Sequence, residues 1–231
     1  MNYYLKYKKY KNKYYLLKHG GSSPEIILRK RIESLEWSNA KWLVFVEAIF
    51  VLYGIREMVI TPGNHMKFVN HNHVIEVFDE LKSKNLLENL KLIKENIFLF
   101  NDEKDKFEFM ESNVIFREST VIDFKRIGLE NTDIDEEYIG KMLGFDDCSN
   151  KLGNFRISVI TVKKQVSVMD YLCDKDNIEK LKVKLQILSR FIYNDDYLRN
   201  VFSTINNTNY FFVIKVENIE TQEEIEILVN F

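Results

Sequence analysis

The chain has 231 residues and a formal net charge of −2, and 45% of its residues are hydrophobic and 29% are charged. With only two prolines and eight glycines, this composition is that of a folded chain with a sizeable core, and it excludes a protein that is disordered throughout. The two cysteines, Cys148 and Cys173, are too few for a disulfide framework and stand outside zinc-binding spacings, so we expect two reduced thiols.

Charge is unevenly distributed along the chain. Residues 1–31 contain nine lysines and arginines and a single acid, Glu25. Subtracting them from the 33 cations and 35 acids of the whole chain leaves 24 cations and 34 acids in residues 32–231. A basic segment therefore precedes an acidic body, which fits either an anionic partner for the segment or contact between the two parts.

The first predicted element is a small basic hairpin over residues 1–21. Tyr3, Leu5 and Tyr7 alternate with lysines, as on the two faces of a strand. Such a surface could stack bases and neutralise phosphates, or its tyrosines could pack inward beneath a solvated lysine face. We favour the packing interpretation, because an acidic body repels nucleic acid at long range.

The elements that follow are predicted to be helical. Pro24, after a serine cap, begins the first helix. Residues 40–53, capped by Ser38 and ended by Gly54, form the next predicted helix. It contains the most apolar stretch, Trp42 to Tyr53, whose 12 residues are fewer than the roughly 20 needed to cross a bilayer. We therefore expect a buried helix and no membrane partner. Apolar spacing over residues 74–95 predicts one broken helix or two short helices.

The second half of the chain mixes strands and helices. Ile97–Phe100 and Phe107–Met110 flank an acidic turn and predict a hairpin. Thr132 and Asp135 form a capping box that opens a helix ended by Gly144. The remaining strands are predicted at Val114–Phe116, Phe155–Val162, Tyr210–Val216 and Glu224–Val229. A long helix after Asp176 repeats apolar residues at three- and four-residue steps, at Ile178, Leu181, Leu185, Leu188 and Ile192.

The order of these elements predicts the fold class. Strands and helices do not alternate strictly, which favours an α+β fold, with an antiparallel or mixed sheet packed with several helices, over a parallel doubly wound sheet. We expect two parts: the hairpin of residues 1–21 and a single α+β domain over residues 22–231, with a subdivision near 100–130 as the alternative. The N-terminal residues lack the apolar run and cleavage site of a secretory signal, which predicts a soluble, cytoplasmic protein.

Three of the four histidines lie within nine residues and are the candidate metal ligands. His71 and His73 would point the same way on an extended segment, and His65 could supply a third ligand to a divalent metal that activates water for hydrolysis. No acid stands at a recognised ligand spacing beside them, so we favour exposed histidines in a surface loop.

Two acidic groups have structural explanations. The run Asp133, Asp135, Glu136 and Glu137 could bind a metal, but acids are favoured in the first turn of a helix because of its dipole. Asp146 and Asp147 would raise the pKa of the neighbouring Cys148 thiol rather than activate it. The sequence therefore assigns no catalytic, cofactor-binding or metal-ligating residue, and it contains none of the common nucleotide, zinc-protease or serine-hydrolase motifs.

One segment carries a resemblance. Tyr138 to Phe145 read as a helix that ends in leucine, glycine and an aromatic residue, with Cys148 just after it. This segment resembles parts of poorly characterised proteins of large, AT-rich DNA viruses, and it covers about 11 of the 231 residues. The resemblance implies a location in the host cytoplasm and no catalytic residue.

Three hypotheses follow from these patterns. The first is a non-enzymatic intracellular protein that binds another, unidentified protein, because no catalytic constellation stands out. The second is a metal-dependent hydrolase or nuclease that uses His65, His71 and His73. The third is binding of nucleic acid through the basic N-terminal segment.

Overall fold

The computed structural model describes residues 37–61, 69–101, 106–144, 155–173, 175–203 and 209–231. Within these ranges the chain forms five helices and seven strands, arranged in two antiparallel sheets. The predicted α+β class is therefore confirmed. The predicted hairpin of residues 1–21 and the helix that begins at Pro24 lie outside the described residues.

The elements are numbered in chain order. The helices are α1 (Trp37–Leu52), α2 (His71–Ser83), α3 (Glu136–Met142), α4 (Lys175–Asn194) and α5 (Asp196–Phe202). The strands are β1 (Met58–Thr61), β2 (Leu90–Asn101), β3 (Lys106–Arg117), β4 (Phe155–Thr161), β5 (Val166–Cys173), β6 (Tyr210–Asn218) and β7 (Glu224–Asn230). Among the described residues, no helix is both long enough and apolar enough to cross a membrane.

Helix α1 is the buried helix that the sequence predicts. Every residue from Trp42 to Val51 is buried, because a helix that is apolar on all sides has no face to present to water. Gly54, with a φ of 72°, ends it as predicted. The prediction of Ser38 as its cap is wrong, because the helix already includes Trp37, and a capping residue must have non-helical backbone.

The smaller sheet has the strand order β1-β3-β2. The predicted hairpin is confirmed and is longer than predicted, since β2 and β3 pair from Leu90 opposite Arg117 to Asn101 opposite Lys106. The second helix predicted within residues 74–95 is wrong. Leu90 and Ile93 belong to β2, because pairing with β3 outweighs their helix-like spacing, and Leu86 lies in the connection between α2 and β2.

The larger sheet has the order β5-β4-β6-β7 and packs one face against helices. From α1, the Trp42 indole N–H donates to Thr161 Oγ1 at 2.9 Å, and the Phe50 ring lies 5.6 Å from that of Phe212. The strands predicted at β4, β6 and β7 are confirmed. Strands β1 and β5 and helix α5 were not predicted.

Helix α4 covers the same sheet next to β6 and β7. Its five predicted core residues, Ile178, Leu181, Leu185, Leu188 and Ile192, are all buried, which confirms the helical pattern. The helix begins at Lys175, so Asp176 lies within it rather than before it as predicted. The main apolar cluster contains side chains of both sheets, among them Ile115 and Ile214, and both α1 and α4 contribute to it.

The core face of α4 should dominate its contribution to stability. Leu185 is fully buried, so Leu185→Ala should lower the free energy of unfolding by about 2 to 5 kcal/mol through lost burial and the cavity left behind. Ile187, on the same helix, is 49% exposed, and Ile187→Ala should cost less than about 1 kcal/mol. Urea unfolding of both variants checks this, and equal losses would contradict the burial of α4 described here.

Candidate functional site

The clustered histidines lie on a helix rather than on an extended segment. His71 and His73 are the first and third residues of α2. Successive helical residues are about 100° apart, so these two side chains diverge by roughly 200° around the axis. The prediction that they point the same way is therefore wrong. His65 lies outside the described residues.

Both described histidines take part in local packing. The Nδ1 atom of His71 lies 2.5 Å from Oδ1 of Asn113, whose Nδ2 donates to the Thr61 carbonyl at 3.2 Å. The backbone N–H of His73 donates to Asn70 Oδ1 at 3.0 Å, and its Nδ1 accepts from the Asn70 N–H at 3.2 Å, which is a capping box. Burial lowers the pKa of His73. In the described ranges, no three histidine, cysteine, aspartate or glutamate side chains are grouped as metal ligands.

In the acidic run, Asp135 serves the start of α3, and Glu136 and Glu137 are the first two residues of that helix. Asp135, not the predicted Thr132, is its cap: Asp135 has extended backbone, and its carboxylate accepts the Tyr138 N–H at 2.9 Å. The same carboxylate accepts from Arg126 Nη2 at 2.6 Å. The Tyr138 amide, and then Arg126, hold the pKa of Asp135 below its usual value.

Other predicted features fall outside the described part of the chain. Asp146, Asp147 and Cys148 lie there, as does the side chain of Cys173. The expectation of two reduced thiols and the nucleic-acid hypothesis for residues 1–21 therefore stay predictions.

A buried ion pair lies where the two sheets approach each other. Arg56, in the connection from α1 to β1, donates through Nη1 to Glu47 Oε2 on α1 at 2.6 Å. Through Nη2 it donates to the Val168 carbonyl on β5 at 3.2 Å. The side chains of Glu47 and Arg56 are 0% and 7% exposed, so the pair is almost entirely removed from water. One guanidinium thus joins α1, the start of the smaller sheet and the edge of the larger one.

Local backbone geometry makes room for Arg56. Pairing of β4 with β5 passes from Val159 opposite Met169 to Ile160 opposite Ser167, so Val168 is the extra residue of a bulge. Its carbonyl is left to Arg56. On another side, Gly144 has a φ of 81°, and a Cβ added there would lie 3.1 Å from Cγ of Arg56. Only glycine fits this close approach comfortably.

The environment of Glu47 favours its neutral form. Burial raises the pKa of Glu47 to about 7, against the opposing charge and hydrogen bond of Arg56. The Oε1 atom of Glu47 is buried without a hydrogen-bond partner. A carboxyl group that is fully buried cannot contact a bound molecule in this conformation, so we interpret the pair as structural.

The outer face of α4 is the clearest exposed apolar feature that the described residues share. Val183, Ile187 and Phe191 follow one another at four-residue steps and are 51%, 49% and 50% exposed. The Phe191 ring stacks on Tyr53 at 5.0 Å, which extends the stripe to the end of α1. We call Val183, Ile187 and Phe191, with the cations that flank them, the α4 outer face.

Three cations flank the stripe. At 100° a residue, Lys180, Lys184 and Arg190 lie within about 60° of Ile187 around the helix axis, and all three are exposed. Lys184 is also close enough to stabilise the carboxylate of Glu57, which accepts hydrogen bonds from Arg117 and Thr120. The α4 outer face is therefore both apolar and basic.

Sequence reasoning identified the core side of α4 but not this outer side. The signal was present in the same helix. Val183, Ile187 and Phe191 fall between the core positions, where an ordinary surface helix carries polar residues. The regular spacing of the core residues predicts the buried side of α4 and draws attention away from the apolar residues on the other side.

No protein-family model, curated protein or solved structure matches this chain. The resemblance of residues 138–148 to viral proteins therefore stays a prediction.

The buried pair should respond very differently to the loss of one partner and of both. Arg56→Met leaves the buried Glu47 carboxyl group without its charge and hydrogen-bond partner and should lower the free energy of unfolding by about 3 to 5 kcal/mol. Glu47→Leu combined with Arg56→Met removes both charges and should be neutral or stabilising. Lys91→Met is the control, because its partner Glu118 is exposed, and it should cost less than about 1 kcal/mol. Urea unfolding distinguishes these outcomes, and a double variant as unstable as Arg56→Met would contradict the pairing.

Stability should also depend on pH through Glu47. Its pKa is about 7 in the folded state against 4.5 for the free side chain, so the folded state holds more protons between these values. The contribution of Glu47 is fully present below about pH 4.5 and is lost as the pH rises through about 7. In the variant that combines Glu47→Leu with Arg56→Met, this fall should disappear. Unfolding free energies measured across that range give the result, and an unchanged slope would refute it.

Proposed function

We propose that this protein acts by binding another protein, and that the partner binds the α4 outer face. The observation that carries the proposal is the stripe of Val183, Ile187 and Phe191, each about half exposed. Covering the exposed half of each side chain is worth roughly 1 kcal/mol, so the three together supply the apolar centre of a modest interface.

The setting of the stripe supports its use as a binding surface. Single exposed apolar residues are ordinary, but contiguous ones mark interaction sites. The opposite side of α4 is anchored by Leu185 and Leu188, which are fully buried. A partner would therefore meet a surface that is already ordered, and binding would cost little conformational entropy.

The spacing of the stripe favours a helical partner. Residues at four-residue steps form a ridge on a helix surface, and such ridges pack into the grooves of a second helix. Amphipathic helices of binding partners use the same spacing to dock on apolar surfaces. We therefore propose a helix of another protein as the ligand, and the cytoplasm predicted from the sequence as the setting.

The two alternative functions gain no comparable support. His71 contacts Asn113, and His73 belongs to the cap of α2, which accounts for both described imidazoles without a metal. The basic segment of residues 1–21 lies outside the described part of the chain. Among the described residues, the exposed stripe on α4 is a feature that packing and capping leave unexplained.

A displayed library of amphipathic helices tests the proposal. The library keeps an apolar stripe and randomises the flanking positions among glutamate, lysine and glutamine, and it is selected on the full chain. Enriched peptides should bind Val183→Gln/Ile187→Gln at least about tenfold more weakly than the unaltered protein, because two apolar contacts are lost.

The matched control is Ile225→Gln/Leu228→Gln. These two residues lie on β7 and are 58% and 44% exposed, so the same chemical change is made at an equally open place. The control should alter affinity by less than about twofold. A selection without enriched peptides, or peptides that bind both double variants equally well, would contradict the proposed function.

A further inference from the structure

We infer that the partner of the α4 outer face is an amphipathic helix whose apolar stripe is flanked by acidic residues. This inference rests on the proposed function and adds to it the charge of the ligand. It follows from the cations that border the stripe and from the occupants that those cations disfavour.

The cations lie on both sides of the stripe. Around the axis of α4, Lys184 lies about 60° to one side of Ile187, and Arg190 lies about 60° to the other. Lys180 lies one turn before Lys184 on the same side. A helix laid along the stripe would therefore bring its own flanking residues next to positive charge on both edges.

Acidic residues near the stripe cancel only part of this charge. Glu57 lies close enough to Lys184 for their charges to interact, and Asp195 lies near Tyr53 at the Phe191 end of the stripe. Glu179 is the acid of α4 closest in sequence, and its carboxylate forms an ion pair with Lys182 at 3.3 Å. Glu179 lies about 80° from Ile187 around the axis, farther than any of the three flanking cations. Complementary charge across an interface mainly sets partner choice and association rate, so this border selects among apolar helices.

Two occupants from the same chain fit poorly. A second copy that paired through the same face would bring like charges together, since a twofold interface repeats one patch on both sides. Residues 1–31 contain nine cations and one acid, and a basic face repels them as well. An acidic helix from a different protein is the occupant that the charges favour.

An anionic membrane surface could also bind a basic face. The distribution of apolar residues around α4 argues against this ligand. Helices that lie on membranes present a wide apolar face and a separate charged face. Here the wide apolar face, with Leu185 and Leu188, is buried in the protein, and only a narrow stripe remains outside. That stripe suits a single neighbouring helix.

The test uses one enriched peptide from the library, resynthesised with its flanking positions as glutamate, lysine or glutamine. The glutamate peptide should bind the full chain at least about tenfold more tightly than the glutamine peptide, and the lysine peptide should bind most weakly. Raising the salt from about 50 mM to about 300 mM should weaken the glutamate peptide and leave the glutamine peptide nearly unchanged. Fluorescence anisotropy gives all of these affinities.

Charge reversal on the protein completes the test. Lys184→Glu/Arg190→Glu should invert the order, so that the lysine peptide binds most tightly. Lys125→Glu/Lys164→Glu makes the same change of net charge at exposed lysines outside α4 and should preserve the original order. If net charge rather than local contact decided binding, both reversals would act alike, and the inference would fail.

The outcomes separate the inference from the proposed function. Equal binding of all three peptides, lost in Val183→Gln/Ile187→Gln, would overturn the acidic partner and leave the proposed function standing. Loss of every peptide interaction would overturn both. Two further outcomes would overturn the inference by assigning the α4 outer face to a different occupant. One is a salt-sensitive dimer of the protein in light scattering. The other is binding to phosphatidylserine vesicles that Lys184→Glu/Arg190→Glu abolishes, in the absence of any peptide binding.

Discussion

One buried guanidinium constrains how the two sheets of this molecule approach each other. Arg56 reaches from the connection before β1 to Glu47 on α1 and to the buried carbonyl of Val168, at the bulge of β5. Removing two charges from water is costly, and the cost is offset only when the geometry satisfies them closely. The two sheets can therefore approach each other in few ways that keep the guanidinium bonded. Gly144 belongs to the same constraint, because a larger residue there would push against the Arg56 side chain.

Around that junction, α1 forces the rest of the architecture. A helix apolar on all sides must be covered on all sides, and here strands of both sheets and α2 provide the cover. Helix α4 then closes the larger sheet with an ordinary amphipathic face. Its outer side is unusual, since Val183 and Ile187 are apolar at positions that are exposed to solvent and where a polar residue would fit. Packing and capping explain the histidines of α2 but not this exposed stripe. We therefore propose a binding function for α4 and not for the histidines.

Patterns that repeat within one element could be predicted from the sequence, and contacts between distant elements could not. The local spacing of apolar residues predicts three features: the core residues of α4, the apolar run of α1 and the hairpin of β2 and β3. The spacing of Leu90 and Ile93 predicts a helix, but short apolar runs are ambiguous between helix and strand. Pairing with β3 makes this segment a strand. The sequence does not predict that Asn70 caps α2, and for this reason it predicts an extended segment at His71 and His73 where the structure has a helix. Nothing local indicates that Glu47 and Arg56 are buried together.

Phe191 is part of the exposed stripe and also packs against the end of α1. Half of its ring is open to solvent, and the ring also stacks on Tyr53, which follows the last residue of α1. Val183 and Ile187 have no stacking contact of this kind among the described residues, so their side chains can be exchanged with little effect on the packing of α1. Substitutions that change the proposed binding surface should therefore be tolerated at positions 183 and 187, whereas position 191 should stay aromatic. In proteins descended from this chain, positions 183 and 187 should vary in sequence, and position 191 should keep an aromatic residue.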